Sequence, residues 1–283
     1  MLTVLEAIKR STDYLQKKGI ESPRLNAEIL LANILRCKRL DLYLSFEQPL
    51  AGQEIDSYRE FISRRGKHEP LQYITREVEF YGLKFKLTPN VLIPRPETEL
   101  LIEAVINKFK NQENVKILEI GSGSGNIAVA LAYNLKEAKI YSIDSSREAL
   151  EIARENAELN KVNDKISFLN IDVKANFELP DKFTCIISNP PYISIKDFDL
   201  LEPELKVYEP RISLTDDGDG LTFFKAITQK SLTLLEHNGM VFFEMAKGQH
   251  ESVEKILLEN NFKNIQITKD YQGIERIIYG ELN

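Results

Sequence analysis

Cysteine, histidine and tryptophan are scarce in this chain of 283 residues, which contains two cysteines, three histidines and no tryptophan. Cys185 lies inside an apolar run and is interpreted as a small core residue rather than a ligand, and this sparing cysteine usage suits a reducing cytoplasm. The histidines, His68, His237 and His250, lie far apart and lack the spacing of metal ligands. We therefore predict no metal site.

Long apolar runs and an excess of positive charge are also missing. No run reaches the length of a membrane span, and the first residues lack the basic, apolar and small-residue order of a secretory leader. The net charge is −6, so no uniformly basic surface indicates a nucleic-acid groove, although a local patch is left open. We expect a cytoplasmic protein that binds neither membrane nor nucleic acid directly.

Helical periodicity dominates the first 75 residues. Thr3 with Glu6 matches a capping box, and Ser22-Pro23 predicts the start of a second helix. Residues 78–87 instead alternate with a period of two around Tyr81-Gly82, which predicts a β-hairpin. The predicted division is a helical domain at 1–75, a β-hairpin linker at 76–93 and a larger domain at 94–283.

Strand-like and helical runs alternate through the larger domain. Such alternation predicts an α/β fold with a mainly parallel sheet covered by helices on both faces. A final hairpin around Gly273 adds an antiparallel strand. The five earlier strands are expected at 115–120, 139–144, 166–170, 183–188 and 240–245.

The tetrapeptide Asn189-Pro190-Pro191-Tyr192, here called the Asn-Pro-Pro-Tyr turn, directly follows the apolar run 183–188. It therefore lies at the carboxyl end of a buried strand, where open α/β sheets hold their ligands. The two prolines fix a turn whose carbonyls only accept hydrogen bonds, the asparagine adds an acceptor and the tyrosine adds a flat ring. These groups suit a planar NH2 group, so the predicted ligand is an amide or an exocyclic amine. The alternative is a plain turn after a buried strand.

A glycine-rich turn, residues 121–125, lies between the first strand of the larger domain and a helix. Its Gly-Ser-Gly-Ser-Gly order lacks the spacing that places a pyrophosphate on a helix N-terminus, which disfavours NAD. Glu119 would repel a phosphate but could attract the ammonium of a methionine moiety, directly or through water. A dinucleotide is therefore less well matched than S-adenosylmethionine.

Acidic residues at the next two strand ends complete the predicted cofactor site. Asp144 can accept hydrogen bonds from ribose hydroxyls, and Asp172 can accept one from the adenine amino group, with Val173 against the ring. Each residue alone could belong to an ordinary loop or cap, but their order on successive strand ends favours a common site. The predicted S-adenosylmethionine contacts are Glu119, Gly121, Ser122, Gly123, Ser124, Gly125, Asp144, Asp172, Val173 and Asn189.

Several longer motifs carry a family resemblance. The chain resembles the class I S-adenosylmethionine-dependent methyltransferases and, within them, the protein-(glutamine-N5) methyltransferases that modify peptide chain release factors. The Asn-Pro-Pro-Tyr turn by itself also occurs in adenine-N6 and guanine-N2 methyltransferases of nucleic acids. The segment around Pro94-Arg95-Pro96-Glu97-Thr98 is what makes the resemblance specific to the glutamine-N5 methyltransferases. The other segments that carry the resemblance are residues 70–75, 79–82, 209–211 and 219–221. Departures include Glu119, where aspartate is common, and Val173, where an aromatic residue often stands.

The resemblance implies a Rossmann-like, mainly parallel seven-stranded sheet and methyl transfer to the glutamine of a Gly-Gly-Gln loop in release factors. It implies that the helical domain recognises the factor away from that loop. It also implies catalytic roles for Asn189, Pro190 and Tyr192, and substrate binding by these residues with Pro191 and Arg95. Two other hypotheses stay open, a nucleic-acid amine methyltransferase with the same turn and a binding module without turnover.

Overall fold

A computed structural model describes residues 2–283 of the chain. The chain forms two compact units, the first containing the residues up to Glu77 together with Glu202–Tyr208, and the second containing Val78–Leu201 and Glu209–Asn283. The division predicted at residues 75 and 93 stays a prediction. The sequence pattern gives no sign that Glu202–Tyr208 joins the first unit, because non-local contacts hold it there. Arg65 Nη1 lies 3.1 Å from Glu204 Oε2, and the Tyr208 hydroxyl donates to the Lys67 carbonyl over 2.9 Å.

The first unit is a helical bundle around a buried cluster that includes Leu15, Leu30 and Tyr58. Thr3 caps the first helix, with both reciprocal bonds of the predicted capping box present at 3.3 Å. Ser22 precedes the second helix with a left-handed backbone, and its side chain makes no cap hydrogen bond. The helices are α1 Val4–Lys17, α2 Pro23–Leu35, α3 Gly52–Arg65, α4 Leu71–Thr75 and a 3-10 helix Arg39–Leu44.

The second unit opens with the predicted hairpin, which is formed by β1 Glu77–Phe80 and β2 Leu83–Lys86. Glu77, the first residue of β1, belongs to the first unit. Tyr81 and Gly82 both have positive φ, 51° and 71°, as a two-residue hairpin turn requires. The remaining strands are β3 Lys116–Ile120, β4 Lys139–Asp144, β5 Ile166–Asn170, β6 Phe183–Ser188, β7 Leu235–Glu244, β8 Phe262–Lys269 and β9 Glu275–Leu282. The helices are α5 Thr98–Phe109, α6 Asn126–Asn134, α7 Arg147–Leu159, α8 Ile195–Phe198, α10 Arg211–Leu214, α11 Thr222–Leu234 and α12 His250–Glu259, with α9 Pro203–Tyr208 in the first unit.

These seven strands form one sheet in the order β5-β4-β3-β6-β7-β9-β8. The first five are parallel, whereas β9 runs antiparallel to both of its neighbours, so the predicted mainly parallel sheet with a closing hairpin is confirmed. The strand order reverses beside β3, whose neighbours are β4 and β6. Ligands of open α/β sheets bind at the carboxyl ends of strands at such a reversal.

Alternate residues of the central strands point to opposite faces of the sheet, and each face is covered by its own core. Ile117 and Cys185 belong to one buried cluster, and Leu118 and Ile186 belong to the other. Cys185 is fully buried, and burial raises the pKa of its thiol, as expected for a core cysteine. Within residues 2–283, no helix is both long enough and apolar enough to span a membrane.

Candidate active site

A cavity of about 380 Å³ opens at the carboxyl ends of β3, β4 and β6, entirely within the second unit. This is the volume range of small-molecule sites. Of the predicted site residues, those that line the cavity are Arg95, Gly121, Ser122, Gly123, Ser124, Asp144, Asp172, Val173, Asn189, Pro190 and Pro191. Glu119, Gly125 and Tyr192 do not line it.

Asp144 organises the glycine turn from the end of β4. One carboxylate oxygen accepts a hydrogen bond from the Gly123 amide over 3.0 Å, and the other accepts one from the Ser146 amide over 2.8 Å. Burial raises the pKa of Asp144, and these amide donors oppose the shift. Because each carboxylate oxygen has two acceptor positions, Asp144 keeps capacity for a ligand hydroxyl in the cavity.

Gly125 departs from its predicted role as a cofactor contact. Its φ is +78°, and an added Cβ would lie 3.0 Å from the Cα and the Cβ of Ala153. Gly125 therefore allows the start of α6 to pack closely against α7. The residue shapes the turn without facing the cavity.

Glu119 also departs from its predicted role. The side chain is fully buried behind the turn, where it accepts a hydrogen bond from Ser142. Burial raises the pKa of Glu119 to about 8, so the carboxyl is largely neutral at pH 7. A neutral, buried group has little attraction for an ammonium ion. Ser142 in turn lies 2.6 Å from the Ser122 hydroxyl, which connects Glu119 to the cavity wall only indirectly.

The Asn-Pro-Pro-Tyr turn reaches the cavity through its first three residues. The Asn189 side-chain nitrogen donates to the Thr98 hydroxyl over 3.2 Å, and Thr98 donates to Glu244 over 2.6 Å. No donor among residues 2–283 is bonded to the side-chain oxygen of Asn189. The Asn189 side-chain oxygen is therefore an acceptor available at the cavity, and its role toward a substrate amide stays a prediction.

Tyr192 differs from the prediction that its ring covers a ligand. The ring packs against the core on one face of the sheet, and its hydroxyl donates to Glu244 over 3.2 Å. Burial raises the pKa of the Tyr192 phenol, so the hydroxyl stays protonated. The tyrosine anchors the end of the turn to β7.

Two of the longer motifs meet at Arg95. Its guanidinium forms an ion pair with Glu209, whose side chain is 1% exposed, whereas that of Arg95 is 31% exposed and lines the cavity. Glu209 also accepts a hydrogen bond from the Ile93 amide. The buried carboxylate thus fixes the arginine at the cavity rim.

Gly220 packs closely against the last residue of the Asn-Pro-Pro-Tyr turn. Its φ is +79°, and an added Cβ would lie 2.4 Å from the Tyr192 carbonyl oxygen. The same carbonyl accepts a hydrogen bond from the Gln249 side chain over 2.9 Å. Only glycine allows this approach of backbone to backbone.

We expect Gly220→Ala to lower the free energy of unfolding by about 3 kcal/mol, because a backbone clash adds to the left-handed strain. Gly273→Ala is the matched control, since Gly273 has the same φ of +79° and no atom within 4 Å of an added Cβ. It should cost about 1 kcal/mol. Urea unfolding of both variants checks the difference, and equal losses would contradict the proposed clash.

The sequence analysis does not predict that Glu244, Ser142 and Phe223 belong to the site. Glu244 and Ser142 bond to its residues, and Phe223 is an apolar residue of the cavity lining. Glu244 ends β7 at the same sheet edge as Asp144 on β4, so an acidic residue closing an apolar strand was an available signal. Ser142 and Phe223 carry no such signal, because a serine in a strand and a phenylalanine on a helix are ordinary core residues.

The comparisons with known proteins cover both units. Residues 6–75 match the family model of the PrmC N-terminal domain, and residues 96–205 match that of the methyltransferase small domain. The release factor glutamine methyltransferase of Fusobacterium nucleatum is 39% identical over 97% of this chain and 77% of its own length. That of Rhodopirellula baltica is 37% identical over 98% of this chain and 95% of its own length. The chain belongs to the release factor glutamine methyltransferase family.

Membership of this family makes the protein a methyltransferase. Solved structures with low sequence identity agree in fold. The catalytic domain of hMettl16 is 16% identical, with a TM-score of 0.59 and 82% of each chain covered. A methyltransferase of Pyrococcus furiosus is 18% identical, with a TM-score of 0.52, and covers 71% of this chain and 90% of its own. The predicted Rossmann-like fold with seven strands is confirmed.

Proposed function

We propose that this protein methylates the side-chain amide nitrogen of the glutamine in the Gly-Gly-Gln loop of peptide chain release factors. The proposal rests on the part of the cavity wall formed by Asn189, Pro190 and Pro191, here called the acceptor corner. There the side-chain oxygen of Asn189 has no hydrogen-bond donor among the described residues 2–283, and the two consecutive prolines have carbonyl acceptors but no N–H donors. A primary amide brings two N–H donors, which match such a corner.

The residues around the rest of the cavity fit S-adenosylmethionine. Asp144 keeps free acceptor positions for ribose hydroxyls, and Asp172 is an exposed carboxylate beside the buried apolar Val173. This combination suits a polar sugar and a flat base with an amino group. When bound, S-adenosylmethionine supplies an electrophilic methyl group.

The residues of the chain act by orientation. An amide nitrogen is a poor nucleophile because its lone pair is delocalised into the carbonyl, so both hydrogens must be held and the nitrogen aimed. Asn189 and the Pro190 carbonyl are proposed to hold them, and fixing the geometry of reacting groups can contribute about 7 kcal/mol or more to catalysis. The N-methylated amide cation is strongly acidic, so it loses its proton without the help of a strong base. No general base is therefore assigned.

Arg95 is proposed to bind the substrate at the cavity rim, where Glu209 holds its guanidinium. The helical domain is proposed to contact the release factor away from the glutamine loop. The reaction is proposed to take place in the cytoplasm, where translation occurs. The curated relatives are named for the same reaction, which supports the substrate class.

A transfer assay with labelled S-adenosylmethionine tests the proposal. The purified full chain is incubated with a release factor, with duplex DNA and with structured RNA in separate reactions. Label in the release factor alone is the expected result. Label in a nucleic acid with an unlabelled factor would favour an amine methyltransferase of nucleic acids, and label in none of them would favour a binding module.

A further inference from the structure

We propose that Thr98 and Glu244 are positioning residues, which fix the Asn189 side chain with its oxygen toward the substrate. This inference rests on the proposed function. All three residues lie within the second unit, and Thr98 and Glu244 are each 1% exposed. Their hydrogen bonds form a chain from the cavity into the core, 3.2 Å from Asn189 to Thr98 and 2.6 Å from Thr98 to Glu244.

The direction of this chain follows from the chemistry of its last member. An ionised carboxylate only accepts hydrogen bonds, so Thr98 must donate its single proton to Glu244. The Thr98 oxygen is then free to accept but not to donate. It therefore selects the NH2 end of Asn189, and the amide oxygen is left toward the cavity.

Tyr192 ties the other end of the Asn-Pro-Pro-Tyr turn to the same carboxylate. Its hydroxyl donates to the second oxygen of Glu244 over 3.2 Å. Glu244 ends β7, which pairs in parallel register with β6, the strand that leads into the turn. One buried carboxylate thus fixes both the first and the last residue of the turn.

A proton on Glu244 would reverse the chain. A carboxylic acid can donate to Thr98, whose own hydrogen is then available to Asn189. Asn189 would present its oxygen to Thr98 and its NH2 group to the cavity. The NH2 group of Asn189 would then face the NH2 group of the substrate amide. Because both groups donate and neither accepts, the substrate amide would lose the acceptor that orients it.

Four residues from neighbouring segments act on the ionisation of Glu244, namely Thr98, Tyr192, Glu97 and Arg276. Burial raises the pKa of Glu244 to about 7, against the lowering effect of the hydrogen bonds from Thr98 and Tyr192. Glu97, before α5, raises it further, and Arg276 on β9 lowers it. The reversal therefore falls in an accessible pH range, and kcat should decrease as the pH falls through about 7.

Thr98→Val tests the inference, because valine keeps the shape of threonine and removes the hydroxyl. We expect kcat for a release factor to fall about tenfold to a hundredfold, the scale of a misplaced reacting group, with KM for S-adenosylmethionine nearly unchanged. The loss of kcat below pH 7 should also disappear, because the link between Glu244 and Asn189 is cut. Thr98→Ser, which keeps the hydroxyl, should restore most of the turnover and the pH dependence.

Thr228→Val is the matched control. Thr228 is also fully buried in the second unit, and its hydroxyl has no hydrogen-bond partner among residues 2–283. Its removal should leave kcat and its pH dependence as in the wild type. Thermal unfolding of all variants separates a folding defect from a catalytic one.

Glu244→Gln provides a second test that does not depend on Thr98. Glutamine does not titrate, so kcat of the variant should not decrease between pH 8 and pH 6. Any remaining pH effect should come only from titration of S-adenosylmethionine or of the release factor. The inference would be overturned if Thr98→Val kept wild-type kcat. It would also be overturned if either Thr98→Val or Glu244→Gln still showed the wild-type decrease of kcat below pH 7. Failure of the wild-type protein to methylate the factor would instead overturn the proposed function.

Discussion

Replacing Asn189 with alanine should lower kcat for methyl transfer about 10²- to 10³-fold, the scale seen when one positioned hydrogen-bonding group of an active site is removed. The side-chain oxygen is the acceptor that the turn presents to the substrate amide, and alanine has no substitute for it. The dissociation constant of S-adenosylmethionine should stay nearly unchanged, because most of the proposed cofactor contacts come from other strand ends. Steady-state kinetics and titration calorimetry measure the two quantities.

Asn134→Ala is the matched control for this variant. Asn134 is exposed at the end of α6, where its side chain donates to the Ala130 carbonyl, outside the cavity. Its replacement should change neither kcat nor cofactor affinity. Turnover retained by Asn189→Ala would refute its orienting role, as would a variant whose only defect is weaker cofactor binding.

Asp144→Ala should produce the largest loss of cofactor affinity, about tenfold to a hundredfold, since hydrogen bonds to a charged group contribute roughly 1.5–3 kcal/mol. The substitution removes the proposed acceptor for ribose hydroxyls. It also leaves the amides of Gly123 and Ser146 without their partner, so the glycine turn loses its anchor. Calorimetric titration with S-adenosylmethionine measures the effect, and kcat at saturating cofactor should change much less.

Asp164→Ala serves as the comparison for the loss of a carboxylate. Asp164 is exposed on a 3-10 turn before β5 and does not line the cavity. Its removal should leave the cofactor affinity as in the wild type. If Asp144→Ala bound S-adenosylmethionine as tightly as Asp164→Ala does, the assignment of Asp144 to the ribose would be refuted.

Local patterns in the sequence were enough to predict the strand ends that form the cavity. Asp144 and the Asn-Pro-Pro-Tyr turn each follow an apolar strand run, and parallel strands bring their carboxyl ends to one edge. The family resemblance then separated a protein substrate from nucleic-acid bases. The residues around the cavity were predicted from their positions in the sequence alone, and three of the predicted residues, Glu119, Gly125 and Tyr192, do not line it.

The three exceptions have separate physical causes. Glu119 shares the face of Ile117 on β3, because side chains alternate along a strand, so it points into the layer behind the turn. Gly125 is required by the close packing of α6 on α7, which no local pattern reveals. Tyr192 packs against the core and donates to Glu244, a partner 52 residues away that no local sequence pattern reveals.

Tandem mass spectrometry of a release factor, after incubation with the purified protein and S-adenosylmethionine, tests the central claim most directly. That claim is that a rigid acceptor corner holds a neutral carboxamide for methylation at nitrogen. We predict one added methyl group, located on the side-chain nitrogen of the glutamine in the Gly-Gly-Gln loop. A methyl group on another residue of the factor, or an unmodified factor under conditions where the cofactor is consumed, would contradict the claim.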